Sequence, residues 1–117
     1  MARLSTHILD SSLGVPAEGV AIELYRLQGG ARLRVTQAVS NREGRTDEPL
    51  LSGNKLETGI YELMFFAGDY LRRKGVILPD PPFLDQVVIR FGIADGSGNY
   101  HVPLVFSPYG YSTYRGS

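Results

Sequence analysis

Cysteine is absent from the 117 residues. That excludes a disulfide framework, a thiol nucleophile and any zinc or iron–sulfur site built on thiolates. An excess of either charge is absent too, since 12 Lys and Arg balance 12 Asp and Glu. The positive field on which nucleic-acid binding draws is missing, so no nucleic-acid partner is expected. Long hydrophobic runs are also lacking. No stretch approaches the roughly 18 apolar residues of a spanning helix, so no membrane partner is expected. The opening MARLSTHILD carries no sustained apolar run behind Arg3, and no secretory signal is read there. The ending Arg115-Gly116-Ser117 is not the peroxisomal Ser-Lys-Leu address. The expectation is a soluble, cytoplasmic chain; a periplasmic one would require a signal peptide already removed. At this length it is expected to form one domain, 1–117, around a single thin core.

What the chain does hold is turns and strand periodicity. Fourteen Gly and seven Pro punctuate it and disfavour a helical bundle. Between them the apolar pattern mostly has period 2. Residues 20–27 (VAIELYRL) set Ile22 and Leu24 against Glu23, and Gly29-Gly30 predicts a hairpin into 31–40. Loop signals crowd 41–54, interrupted only by Leu50-Leu51. Residues 60–66 (IYELMFF) and 87–93 (VVIRFGI) are short, near-continuous apolar runs that predict buried strands. Between them, 67–74 (AGDYLRRK) is the one helix candidate, with Asp69 as its cap, Arg72, Arg73 and Lys74 at its negative end, and Gly75 closing it. Further on, Tyr100, Val102, Leu104 and Phe106 face one way and His101, Pro103 and Val105 the other. Pro103 predicts an edge or a bulge there. A turn at 107–110 leads into a last strand, 111–115. Seven or eight short strands with one short helix predict an all-β, two-sheet sandwich.

The inventory of reactive groups is short. There is no G-x-S-x-G elbow and no Gly-rich loop leading into a helix, which removes those routes to a serine nucleophile and a phosphate cradle. Lys55 and Lys74 lie in no apolar setting that would make them nucleophilic amines. The two histidines are the informative positions. His7 shares a strand face with Ser5 and Leu9, and His101 one with Pro103 and Val105. Two readings stand for them: strand histidines satisfied by backbone carbonyls, or a paired acid–base role. Two histidines without a third ligand or an H-x-H spacing give no basis for a metal site. Arg45, after Gly44 in NREGRTDEPLL, is either one more solvated charge or a fixed guanidinium aimed at a carbonyl-rich or anionic ligand. The ending PYGYSTYRGS is rich in tyrosine where termini are ordinarily small and polar, which predicts a packed tail or a subunit contact.

Three separated segments resemble one family. LSTHILD near the start, N-x-x-G-R-x-x-x-P-L-L at 41–51 and YHVPLVFSPYGYSTYRGS at the end are similar to the 5-hydroxyisourate hydrolases, the transthyretin-like enzymes of purine (urate) degradation. The resemblance covers essentially the whole chain, and the ending Tyr114-Arg115-Gly116-Ser117 is its most specific part. It departs mildly at Glu43, where Asp is common, and at Val105-Phe106, an aliphatic position. The resemblance implies a transthyretin-like sandwich assembled as a dimer of dimers, with active sites in the channel between dimers. It implies hydrolysis of 5-hydroxyisourate to 2-oxo-4-hydroxy-4-carboxy-5-ureidoimidazoline by water attack on a ring carbonyl, with no metal and no organic cofactor. By the same resemblance the catalytic groups are His7, Arg45, His101 and Ser117. His7, Arg45, Tyr114, Arg115 and Gly116 would bind the substrate, a small molecule.

The chemistry of the residue types agrees with that implication. Hydrolysis without a metal or a covalent nucleophile needs a base for water and donors for the developing oxyanion. A neutral histidine supplies the first and a guanidinium the second. Which histidine is the base stays open. Two rivals remain. A non-catalytic transthyretin-like carrier of small ligands would lack the His/Arg set and the Tyr-Arg-Gly-Ser ending, and an immunoglobulin-like interaction module would lack a polar cluster on its strand faces.

Overall fold

Period-2 alternation gives each strand one apolar face, and two such faces must be pressed together to leave water. The computed structural model, which describes residues 2–116, does this with two sheets. The first contains β1 (Arg3–Asp10), β2 (Val15–Pro16), β5 (Leu51–Ser52), β8 (Asn99–Ser107) and β9 (Gly110–Thr113). Its order is β2-β1-β8-β9, with β5 also paired to β1. The second holds β3 (Ala21–Gln28), β4 (Ala31–Val39), β6 (Gly59–Phe65) and β7 (Val87–Ile93) in the order β4-β3-β6-β7. One α-helix, α1 (Ala67–Arg73), joins the last two of these.

Leu4, Ile8, Leu104 and Phe106 from the first sheet meet Ile22, Leu24, Leu63 and Phe65 from the second, and all eight are buried. Each such side chain contributes about 1.5–3 kcal/mol relative to leaving it in water. Helix α1 adds Tyr70, whose ring stands edge-on to Phe106 at 5.6 Å and whose hydroxyl donates to Asp10 Oδ2 at 2.9 Å. The other Asp10 oxygen accepts from the backbone of Ser12 and Leu13, which closes the turn after β1. Burial and the Asp10 carboxylate push the Tyr70 phenol up to about 12, so that proton stays in the core.

Several local expectations change in three dimensions. Among the described residues nine strands form, because two-residue pairings at β2 and β5 add to the seven longer ones. The run 60–66 is an interior strand as expected, but 87–93 lies at a sheet edge and buries only alternate residues, Val87, Ile89 and Ile93. The final strand ends at Thr113, not Arg115. Asp69 does not cap α1. The N-cap position is Phe66 with no side-chain bond, and Asp69 lies inside the first turn, 3.3 Å from Arg72. The exposed donor of Gly68 is instead met by the Asp85 carbonyl at 2.8 Å. Gly75 does close the helix, at φ +84°.

Pro103 sits in an interior strand with β1 on one side and β9 on the other, not at an edge or bulge. A strand residue points its N–H and C=O toward the same neighbour. The Pro103 carbonyl accepts from Thr113 Oγ1 at 2.7 Å, so its missing N–H faces β9, just beyond the last pair Leu104↔Thr113. The ladder to β1 loses nothing. That ladder is parallel and runs unbroken from Arg3↔Asn99 to Asp10↔Phe106.

Candidate active site

Alternation along β1 buries Leu4, Thr6 and Ile8 and turns Arg3, Ser5 and His7 outward. Alternation along β8 turns Asn99 and His101 outward beside them. The parallel register sets Ser5 opposite His101 and His7 opposite Pro103, so the two histidines lie diagonally on one face. Arg45 reaches this face from the 41–50 loop, which is stitched to β1. Gly44 O accepts the Ile8 N–H at 2.7 Å, and Asn41 Oδ1 accepts the N–H groups of Glu43 and Arg45 at 2.9 and 3.2 Å. Gly44 holds φ +77°. A Cβ there would collide with Ile8 O and approach His7 Cδ2 to 3.3 Å, so this position requires glycine twice over. Arg3, Ser5, Arg45, Thr46 and Asp47 then line a cleft of about 220 Å³. A larger groove of about 470 Å³ beneath β4, lined by Val35, Leu50 and Lys55 among others, holds no histidine or arginine.

The histidines are held differently. His7 Nε2 lies 2.9 Å from the Glu43 carbonyl, which can only accept, so Nε2 carries the proton and the lone pair of the neutral ring is on Nδ1. His101 Nδ1 lies 2.8 Å from Ser5 Oγ. On its far side, Gly116 N–H donates to the His101 carbonyl at 2.7 Å, and a Cβ at 116 would stand 2.7 Å from His101 Cδ2. These contacts leave the distal Cε1–Nε2 edge of the ring as the part not taken up. Burial holds the His101 ring below the ordinary histidine value, and the charges of Arg45, His7 and Arg3 add to that depression. Among the described residues, neither Arg3 nor Arg45 lies within ion-pair distance of a carboxylate. Among the described residues no three His, Asp or Glu side chains gather as a metal set.

The fold thus brings His7, Arg45, His101 and Gly116 to one place. Tyr114 and Arg115 turn away from it. Arg115 donates to the Asn99 carbonyl at 3.0 Å and stacks over Tyr100 at 4.2 Å, and Tyr114 lines a groove with Ile89, Phe91 and Val102. Ser117, the remaining expected site residue, lies outside the described residues. Sequence reasoning missed Arg3 and the part played by Ser5. Their signal was present, because positions 3, 5 and 7 share a face by alternation, but the parallel partner that gives Ser5 its contact is 96 residues away.

Comparison with known proteins gives a consistent picture. A family model described as HIUase/Transthyretin family matches residues 4–116. The chain is 59% identical to 5-hydroxyisourate hydrolase 2 of Rhizobium meliloti, over 98% of this chain and 96% of that one. It is 55% identical to 5-hydroxyisourate hydrolase of Pseudomonas aeruginosa, over 100% and 93% respectively. Among solved structures, the 5-hydroxyisourate hydrolase of Klebsiella pneumoniae superposes with a TM-score of 0.82 at 36% identity, covering all of both chains. An (S)-allantoin synthase superposes at 0.93 with 42% identity, and there the chain spans 44% of the longer protein. Sea bream transthyretin in complex with thyroxine superposes at 0.87 with 24% identity, a likeness of fold alone. The sandwich, its parallel β1–β8 pair and these matches over nearly every residue lead to one conclusion: the chain belongs to the HIUase/transthyretin family.

Proposed function

We propose that this chain hydrolyses 5-hydroxyisourate to 2-oxo-4-hydroxy-4-carboxy-5-ureidoimidazoline in purine degradation. The observation that carries the reading is the shared outward face of His7, His101 and Arg45, with two guanidiniums beside a histidine held below its ordinary pKa. In this reading His101 takes a proton from water as the water oxygen bonds to a ring carbonyl carbon. Arg45 meets the negative charge that develops on the carbonyl oxygen. His7 offers its Nδ1 lone pair to the water or to a substrate N–H. The ring C–N bond then breaks, the departing nitrogen takes the proton from His101, and the new carboxyl group ionises beside Arg45 and Arg3. Gly116 keeps the tail close to His101, Tyr114 and Arg115 anchor that tail, and the expected catalytic role of Ser117 is its hydroxyl. The reaction uses no metal and no organic cofactor in this account.

The reading includes a homotetramer, a dimer of dimers, whose channel holds the sites. Its support is edge strand β9, where Gly110–Thr113 are all exposed and Tyr109, Tyr111 and Tyr114 stand beside an unpaired edge. Light scattering is expected to give four times the 12.9 kDa chain mass, and a monomer at micromolar concentration would remove the shared channel. A cytoplasmic compartment is part of the same reading, and a cysteine-free chain is compatible with its reducing conditions. No described helix is long and apolar enough to cross a membrane. Ultraviolet absorbance tests the function directly. Freshly generated 5-hydroxyisourate should decay faster in the presence of the protein, and an unchanged decay would refute the reading.

A further inference from the structure

We infer that Ser5 is a positioning residue for His101, setting the tautomer in which the ring presents its Nε2 lone pair. The inference rests on the hydrolytic reading for its consequence in catalysis, but its geometry stands by itself. Ser5 is directly across the β1–β8 ladder from His101, and its Oγ lies 2.8 Å from Nδ1. The opposite flank of the ring is closed by Gly116, whose backbone leaves no space for a Cβ beside Cδ2. The ring therefore stands between a hydroxyl on its Nδ1 side and the tail backbone on its Cδ2 side.

A hydroxyl can donate to Nδ1 or accept from it. Accepting suits the reaction, because the Nδ1–H···Oγ bond then persists from the neutral ring into the imidazolium formed when Nε2 takes a proton, and strengthens there. Donation would have to reverse at every turnover. The charged and titratable groups facing the ring are Arg45 from the 41–50 loop and His7 and Arg3 from β1, and all of them oppose a second positive charge. The partner at His101 Nδ1, where a carboxylate commonly orients a histidine base, is the hydroxyl of Ser5.

Nitrogen-15 spectra of the histidine rings, recorded above the titration of His101, test this without reference to turnover. The expected result is a protonated Nδ1 and an unprotonated Nε2 for His101, and loss of that preference in Ser5→Ala. In the absorbance assay Ser5→Ala should lower kcat roughly 10–100-fold and leave KM within about twofold. Ser5→Thr, which keeps the hydroxyl, should recover most of the rate. The acid limb of kcat/KM should move to lower pH in Ser5→Ala, since the acceptor that favours the charged ring is gone. A wild-type His101 protonated on Nε2, or a Ser5→Ala protein with unchanged tautomer and kcat, overturns the inference. Absence of hydrolysis by the wild-type protein would instead defeat the functional reading, and the tautomer would still decide the role of Ser5.

Discussion

The outer faces of the two sheets carry similar side chains to opposite effect. On the second sheet, Glu62 pairs with Arg90 at 2.9 Å and Arg32 at 3.4 Å, and Glu23 faces Arg34 at 3.6 Å. Every one of those guanidiniums has a carboxylate. On the first sheet, Arg3 and, from the 41–50 loop, Arg45 stand beside two histidines, and among the described residues neither guanidinium is ion-paired, although Asp47 lines the same cleft. Cross-strand pairing neutralises the second face and leaves it as solvated surface. On the first face the charges of Arg45, His7 and Arg3 add to burial in discouraging protonation of His101, and the unpaired guanidiniums suit an electron-rich ring. Composition does not distinguish the two faces. What differs is where the carboxylates lie.

That contrast is broken most severely by removing the groups of the first face. His7→Ala, Arg45→Ala and His101→Ala should each lower kcat/KM by roughly 10²–10⁴, the range of lost acid–base or oxyanion groups. Their melting temperatures should change little, because none of the three side chains fills the core. A His101→Ala protein with near-full activity would remove the histidine pair from the mechanism. Loss of the tail should come close behind. Deleting 114–117, or fusing a tag after Ser117, should abolish most hydrolysis while the β-sheet circular dichroism persists, whereas a tag before Met1 is tolerated. Equal kcat/KM for the two tagged forms would take the terminus out of the site.

Gly44→Ala should strike both stability and activity. A left-handed non-Gly residue costs about 1–2 kcal/mol, and the collision with Ile8 O adds to it. At roughly 4–8 °C per kcal/mol for a domain near this size, calorimetry should record a clearly lower Tm, with kcat reduced as the loop carrying Arg45 lifts. An unchanged Tm would show that the loop relaxes freely. The effect of pH is smaller and its sign is set by His101. Because its folded-state pKa is depressed, the neutral ring persists below about 6.5, and the acid limb of kcat/KM should lie below that value. The same depression means that its share of stability is complete above about pH 6.5 and is lost as pH falls toward the folded pKa. In Arg45→Gln the residual activity should show its acid limb displaced upward, because a charge that lowers the His101 pKa is gone. A limb that stays in place would separate Arg45 from His101. The smallest effect belongs to the other face: Glu62→Gln should cost about 1 kcal/mol in stability and leave kcat/KM unchanged.

Much of the sandwich was legible in the chain because strand alternation and turn chemistry are local. Ile22 and Leu24 announced the buried face of β3, Gly29-Gly30 the hairpin at φ +58° and +81°, and Gly75 the end of α1. The edge position of β7 was not legible, since VVIRFGI reads as apolar whether one or both of its faces are covered. Asp69 misled for a related reason. A short acidic residue near a helix start suits either the cap or the first turn, and the Asp85 carbonyl had already met the Gly68 donor.

The amino-acid sequence by itself determined which residues share a strand face, and so placed Arg3, Ser5 and His7 together and His101 on the exposed side of its own strand. Only the tertiary structure decided that those two strands run parallel and adjacent, in a register that sets Ser5 against His101 across 96 residues of chain. The physical reason is that a side chain's direction follows from the local backbone, repeating every two residues. Its partner is chosen by the burial of both sheets at once. Shifting β8 by a single residue against β1 would turn Tyr100, Val102 and Leu104 out of the core and His101 into it. The same apolar residues that press the sheets together therefore hold the polar site in register.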